Sequence, residues 1–373
     1  MTDTGEPCVL YGELYTKYKS EVISDIFNKT DIDTRKLVKS KANDVIIPCS
    51  GETAVDIATA RCVPYDNILL GGDLNIIRLY DCDGSFMSYQ LNGKRKYDLA
   101  KVAQGVSVVH LYGDHLKGVK TYNPCLEEQK KIAKLLSILD ERIATQNKII
   151  EDLKKLKAAI VEKVFCSPNQ EYPMCRIEGF EQALSTYKMS DFSSRIATKN
   201  KDSKCSLVLT IAAQYGLVNQ ESFFNKSVAS ENLTGYYLLH KGEFAYNRSY
   251  SAGYDWGVVK RLDNYDEGVL STLYICFKIN ETIVDSDYLA YYFESSKWHK
   301  GLSDIAGEGA RNHGLLNVSM TDYFNTKHRF PVIEEQKAIA KMLNTIAEKE
   351  RKATLLGECY QKQKQYLLCQ MFT

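Results

Sequence analysis

No run of eighteen apolar residues occurs anywhere in this chain, so no stretch reads as a membrane-spanning helix. The opening Met1-Thr-Asp-Thr-Gly-Glu is polar and lacks the apolar core of a signal peptide, so a cytoplasmic location is expected. There is no Cys-x-x-Cys pair among the eleven scattered cysteines. That odd, unspaced set is expected to be buried reduced thiols rather than a disulfide framework or a zinc site. Also missing are a Gly-x-Gly-x-x-Gly turn after a strand, a Gly-x-x-x-x-Gly-Lys-Ser/Thr phosphate loop and a His-Glu-x-x-His pair. Asn123-Pro124-Cys125 falls short of an Asn-Pro-Pro-Tyr-like adenine pocket, which leaves methyl transfer and ATP-driven motion unsupported within this chain. His110, His115, His240, His299, His313 and His328 show no ligand spacing; all but His313 read as satisfied or surface side chains, and no metal site is expected. The formal charge of +1 argues against a globally basic coat while permitting local positive faces.

What the chain does have is a duplication. About forty residues from Pro124-Cys-Leu-Glu-Glu-Gln-Lys-Lys-Ile-Ala-Lys to Phe165 recur from Pro331-Val-Ile-Glu-Glu-Gln-Lys-Ala-Ile-Ala-Lys to Phe372, at a constant offset of 207. Glu127/Glu334, Glu128/Glu335, Gln129/Gln336, Lys130/Lys337, Ile132/Ile339, Ala133/Ala340, Lys134/Lys341 and Leu136/Leu343 pair without a gap. So do Lys155/Lys362, Lys157/Lys364 and Phe165/Phe372. Each copy opens with a proline and a Glu-Glu pair, which suit a helix start and its dipole. In the first copy Ile132, Leu136, Leu139, Ile143, Ile150, Leu153, Leu156 and Ile160 step mostly by three and four, a coiled-coil stripe. The second shows Ile339, Leu343, Ile346, Ala353, Tyr360 and Leu367 along one side, with Glu350 and Gly357 weakening the middle. Helices of roughly 39 residues would be ~58 Å long, and each is the other's natural mate.

The remaining sequence, long enough with the repeats for two or three domains, differs in kind. Residues 1–123 and 170–330 mix short β-rich runs, such as Asp44-Val-Ile-Ile-Pro, Ile76-Ile-Arg-Leu-Tyr and Leu273-Tyr-Ile-Cys-Phe-Lys-Ile, with turn clusters, and read as α+β globular segments. A weak echo links them: a strand after a turn (Asn43 to Ile47, Lys241 to Tyr246). Each also has a glycine-bearing loop followed by histidine (Ala103-Gln-Gly105 to His110, Ala306-Gly-Glu-Gly309 to His313). The scaffold is repeated while the displayed surface changes.

The doubled Pro-x-x-Glu-Glu-Gln-Lys-x-Ile-Ala, the helix endings Val164-Phe165 and Met371-Phe372, and Gly307-Glu-Gly-Ala-Arg-Asn-His-Gly-Leu-Leu-Asn-Val leading to Asp322-Tyr-Phe resemble the specificity subunit of Type I restriction-modification systems. The resemblance covers nearly the whole chain. It implies two α+β target-recognition domains, 1–123 and 167–330, separated by two long helices, 124–166 and 331–373, packed as an antiparallel coiled coil. It further implies a non-catalytic subunit that reads a bipartite double-stranded DNA target, one half-site per domain. Two methyltransferase subunits and the restriction or motor subunits would be partners, with no membrane. S-adenosylmethionine, ATP and Mg would belong to those partners, leaving no cofactor in this chain. One departure is that the first globular segment is about forty residues shorter than the second and enters directly at Gly5-Glu-Pro-Cys-Val-Leu-Tyr-Gly-Glu-Leu-Tyr.

Arg and Lys bond bidentately to guanine and Asn or Gln to adenine, so glycine-rich loops bearing them suit base edges or phosphates. Arg311, Asn312 and His313 in the 307–314 segment meet that requirement, as do Arg248 and Tyr250, whereas nearby Tyr254 and Trp256 suit core packing equally well. Lys94, Arg95 and Lys96 form the densest basic run and are expected on phosphate, and Tyr11 and Lys17 form a further strip. Solvated turns and surface runs would look the same in sequence. The spacer contacts are expected at Ile132, Leu136, Leu139, Ile143, Ile150, Leu153, Ile339, Leu343, Ile346 and Tyr360. Two other readings stand beside this one. A protein-interaction scaffold would use the coiled coil without reading DNA. A nuclease would use Glu128-Gln-Lys130 or Glu335-Gln-Lys337, although these sit where helix starts explain the glutamates and no converging aspartate is evident.

Overall fold

A computed structural model describes residues 4–33, 37–226, 232–249, 253–305, 316 and 318–372. Two helices dominate it, Leu126–Val164 and Ile333–Gln370, 39 and 38 residues long, each beginning two residues after its proline. The chain divides into two compact units, residues 1–150 with 352–373 and residues 151–351, so each long helix contributes to both.

In the first unit the strand Asp44–Pro48 is buried along its whole length between antiparallel partners Arg61–Val63 and Leu74–Ile77. Its period of two sends Val45 and Ile47 into a core with Met87, Leu91 and Leu99, and Ile46 into another with Val9, Leu14 and Val63. A second sheet has the order Asn28–Thr30, Glu6–Val9, Leu69–Leu70, Val38–Lys39. The second unit repeats the first pattern: Phe244–Asn247 lies between Val258–Arg261 and Ile275–Ile279, with Ser193–Arg195 added at the edge. Phe244 and Tyr246 enter one core and Ala245 another. Both central strands follow a residue in the left-handed region, Asn43 at φ 79° and Gly242 at φ 88°, which is the physical content of the echo seen in sequence. In each unit the third strand leads to a short helix, Gly84–Asn92 or Ser286–Tyr292, that meets the long helices.

The long helices pair within both units. In the first, Leu368 and Phe372 pack with Ala133, Leu136, Phe86 and Tyr89. In the second, Val161, Val164 and Phe165 pack with Ile339, Ala340, Leu343, Tyr288 and Tyr292. The pairing is antiparallel, since Asp140 meets Lys364 whereas Gln146, farther along the first helix, meets Ala353, farther back on the second. Of the seam residues, Leu136, Leu139, Ile339 and Leu343 are buried, while Ile132, Ile143, Ile150, Leu153, Ile346 and Tyr360 are half-buried.

The stripe departs from the sequence expectation in its middle. Leu156 is 49% exposed. The neighbouring Lys157 turns inward instead, its Nζ 3.7 Å from Glu294 and 3.9 Å from Glu350. Glu350, expected to weaken the seam, is thus engaged by a cation. Gly357 is buried because Gln146 and Ile150 fill the space beside it. Gln146 is itself buried and donates to the Ala353 carbonyl at 2.9 Å. The middle of the seam is polar and satisfied rather than merely weak.

Among the histidines, His328 is fully enclosed, with Nδ1 3.1 Å from the Tyr292 hydroxyl and Nε2 2.8 Å from Thr326 Oγ1. Burial pushes its pKa down to about 3. The folded state therefore holds it neutral while the unfolded chain takes up a proton below the ordinary value of about 6.5. Its contribution is fully present above that pH and is lost as pH falls toward 3. His328→Gln is expected to flatten this acid limb when urea midpoints are compared at neutral and acid pH. Leu343→Ala is expected to destabilise by about 2–5 kcal/mol. Gly357→Ala, whose Cβ would meet Gln146 Cγ at 3.5 Å in ordinary contact, is expected to stabilise by about 0.5–1 kcal/mol. Chemical denaturation measures both.

Candidate nucleic-acid interface

Each globular part is fastened to a long helix by the same set of residues. Asp83 caps the helix Gly84–Asn92 by accepting from Phe86 N at 2.8 Å, and its own N–H donates to Gln129 Oε1 at 2.9 Å. Gln129 Nε2 donates to the Pro124 carbonyl at 2.7 Å. In the second unit Asp285 accepts from Tyr288 N at 2.9 Å and donates to Gln336 Oε1 at 2.9 Å, and Gln336 Nε2 donates to Pro331 O at 2.9 Å. Phe86 meets Phe372 with ring centroids 5.2 Å apart, and Tyr288 meets Phe165 at 5.0 Å. The repeated lysine at the far end of each helix closes both docks. Lys364 bridges Glu21 and Asp140, with the Tyr89 hydroxyl donating to Asp140 at 2.7 Å, just as Lys157 lies between Glu294 and Glu350. Burial pushes the Glu21 carboxyl up, against the pull of Lys364.

The nucleic-acid candidates named from sequence fall in unequal places. Tyr11 is exposed on the turn after strand Glu6–Val9, and Lys17 spends its ammonium on Glu13 Oε1 at 2.8 Å and Asn28 Oδ1 at 3.3 Å. The basic run is split: Lys94 is exposed, Arg95 reaches Asp98 at 3.5 Å, and Lys96 is half-buried with its pKa lowered by desolvation and by Arg61. Arg248 is turned to an internal task, donating to the carbonyls of Val318 at 3.1 Å and Leu273 at 3.3 Å. Tyr250, Arg311, Asn312 and His313 lie outside the described residues. Tyr254 and Trp256 pack against the two cores of the second unit.

Three surface features were not offered as DNA contacts from sequence. In the first unit the loop 104–110 is pinched by reciprocal bonds between Gln104 and His110 of 2.9 and 2.7 Å, leaving Val106 97% exposed at its tip. Gly105 makes this turn possible: at φ 127° it sits where a Cβ would strike the Val108 carbonyl. In the second unit Arg195 and Lys199 converge on one tyrosine, Arg195 donating to Tyr237 OH at 2.9 Å and Lys199 Nζ lying 3.9 Å from its ring centre, with Lys201 and Lys204 exposed nearby. The signal was present as four cations in ten residues, 195–204. Tyr215, Phe223 and Phe224 form an exposed ring cluster.

The glutamates weighed for metal chemistry have other roles. Glu335 is buried under Arg176, which bonds both its oxygens at 2.9 and 2.7 Å, while Glu128 is exposed. Among the described residues no group of three or more His, Cys, Asp or Glu is gathered to hold a metal, and no helix is long and apolar enough to cross a membrane.

Residues 13–155 match the Type I restriction modification DNA specificity domain. Over 359 residues, 90% of this chain and 79% of the relative, the chain is 24% identical to the Type I restriction enzyme MjaVIII specificity subunit of Methanocaldococcus jannaschii. Among solved structures it is similar to the S subunit of a Type I restriction-modification system from M. genitalium, with a TM-score of 0.55 and 17% identity over 99% of this chain and 92% of that one. A second chain, from a structure concerned with complex assembly and conformational transition of the type I R-M system, gives a TM-score of 0.52 at 15% identity, covering 88% and 81%. The fold class read from the repeat is borne out. Within residues 13–155 the chain carries a Type I restriction modification DNA specificity domain, and as a whole it is similar to specificity subunits of Type I restriction-modification systems.

Arg248→Lys keeps the charge but cannot span two carbonyls, so a loss of roughly 1–3 kcal/mol is expected in DNA-free unfolding. Unchanged stability would return Arg248 to the DNA-facing set.

Proposed function

We propose that this chain reads a bipartite double-stranded DNA target, one half-site through each unit, and is itself non-catalytic. The observation that carries this reading is the dock built twice beneath two globular parts that share a scaffold but not a surface. Duplicated supports with divergent heads suit a split, asymmetric site. Exposed positions in the first unit (Tyr11, Lys94 and the loop residues 104–108) and the cations of 195–204 in the second are the proposed contacts, with phosphate contacts supplying most of the affinity. The two long helices act as the spacer that sets the unread gap. S-adenosylmethionine, ATP and Mg are assigned to partner subunits.

Those partners are proposed to dock on a charged helix face that the duplication preserved. Glu127, Lys130, Lys134 and Glu141 recur as Glu334, Lys337, Lys341 and Glu348. At 3.6 residues per turn these four positions fall within about 60° of one helix face. All but Glu348 are exposed. Glu348 is half-buried and bonds Arg351. In the first unit Lys130, Lys134 and Glu141 border a cleft of about 470 Å³ with Ser85 and Tyr89. A stripe present twice suits two copies of one methyltransferase subunit.

Binding to target DNA in the presence of the methyltransferase is expected to fall steeply with salt in a log–log plot; a flat response would favour a scaffold that reads no DNA. Charge reversal of Lys130 and Lys134 is expected to remove one methyltransferase copy, and reversal of Lys337 and Lys341 the other. Sedimentation of the assembled complex reads the stoichiometry, and two bound copies in the quadruple variant would refute this surface.

A further inference from the structure

An N-cap residue whose side chain caps the helix leaves its own N–H without an intrahelical partner. In a capping box the side chain at the third helical position reaches back to that N–H. The short helix Met189–Phe192 does this locally, Asp191 accepting from Lys188 N at 2.7 Å. At Gly84–Asn92 and Ser286–Tyr292 the third position is Phe86 or Tyr288, which has no such acceptor and is committed to packing on Phe372 or Phe165. The acceptor comes instead from another element: Gln129 and Gln336, both 1% exposed, one turn into the long helices.

We propose that Gln129 and Gln336 are positioning residues, each completing in trans the capping box of the domain helix beside it and thereby fixing the angle at which that domain is held on its long helix. The geometry is demanding. One buried amide must accept from the half-buried Asp N–H while donating to the proline carbonyl that opens its own helix, so Oε1 and Nε2 are both spoken for. Tilting the domain would strand the buried glutamine Oε1 along with the Asp N–H, and a buried polar group is costly to leave unpaired. The same arrangement at both docks, 207 residues apart, argues against an accident of packing. Resting on the reading of a bipartite DNA target, the inference adds a specific consequence: the glutamines narrow the range of gap lengths the protein accepts, without touching DNA.

The test uses Gln129→Met and Gln336→Met, which keep the side-chain length and remove both bonds, in the complex with its methyltransferase partner. Selection from a library of half-sites joined by gaps of varied length is expected to give a broader gap distribution with base preferences retained. Hydrogen exchange on the same proteins is expected to speed roughly tenfold at the Asp83 amide in the first variant and the Asp285 amide in the second, the other unit being the internal control. Gln129→Glu, which keeps an acceptor but loses the donor, serves if the Met variant does not fold and is expected to protect the Asp83 amide while still broadening the gap. Wild-type gap selectivity in a folded variant, or lost base preference without broadening, would overturn the proposal. If the wild-type protein selects no bipartite site, the DNA reading falls instead, and the exchange rates still decide whether the latch exists.

Discussion

Everything in this molecule depends on two long helices burying one another. A helix with charge on most of its circumference has too narrow an apolar face to be stable alone, and most helical stability in proteins comes from packing. Here the face is completed by a mate and by a third element. Ala133 and Leu136 need Leu368 and Phe372, together with Phe86 and Tyr89. Ile339, Ala340 and Leu343 need Val161, Val164 and Phe165, together with Tyr288 and Tyr292. The globular parts are therefore structural members of the rods as well as passengers on them.

The polar side of this arrangement explains which repeated residues survived duplication. Gln129/Gln336 and Lys157/Lys364 are engaged in both units, and they hold elements together that apolar packing alone would leave free to rotate. Glu128 and Glu335, identical in sequence, differ: one is exposed, and the other is buried under Arg176 from the segment between the helices. Sequence identity between the copies is thus of three kinds: packing, polar fastening and surface.

Much of the architecture was legible because period and register are carried by many residues at once. The offset of 207, the apolar steps and the helix starts all agree, and the α+β segments announce themselves through Asp44–Pro48 and Ile275–Ile279. The docks were harder to see. Asp83-Gly-Ser-Phe86 and Asp285-Ser-Asp-Tyr288 share only Asp-x-x-aromatic, and the acceptor for each Asp N–H lies 46 or 51 residues away. A hydrogen bond between distant elements leaves no periodic trace. Leu156 misled for the opposite reason: apolar spacing promised burial, whereas Lys157 found Glu350 across the seam and Glu294 on the globular part. Arg248 was legible as a donor but not as one already occupied, since its acceptors are main-chain carbonyls.

The contact of Gln146 with the Ala353 carbonyl, beside buried Gly357, has an evolutionary corollary. A polar group buried in a helix interface is satisfied in a single alignment, so sliding one rod past the other by a turn would leave that amide stranded. Lengthening one copy alone would force such a slip over part of the interface. Viable changes in rod length should accordingly arise as matched insertions in both copies, and a lineage that altered only one would be expected to carry a compensating substitution at position 146 or 357.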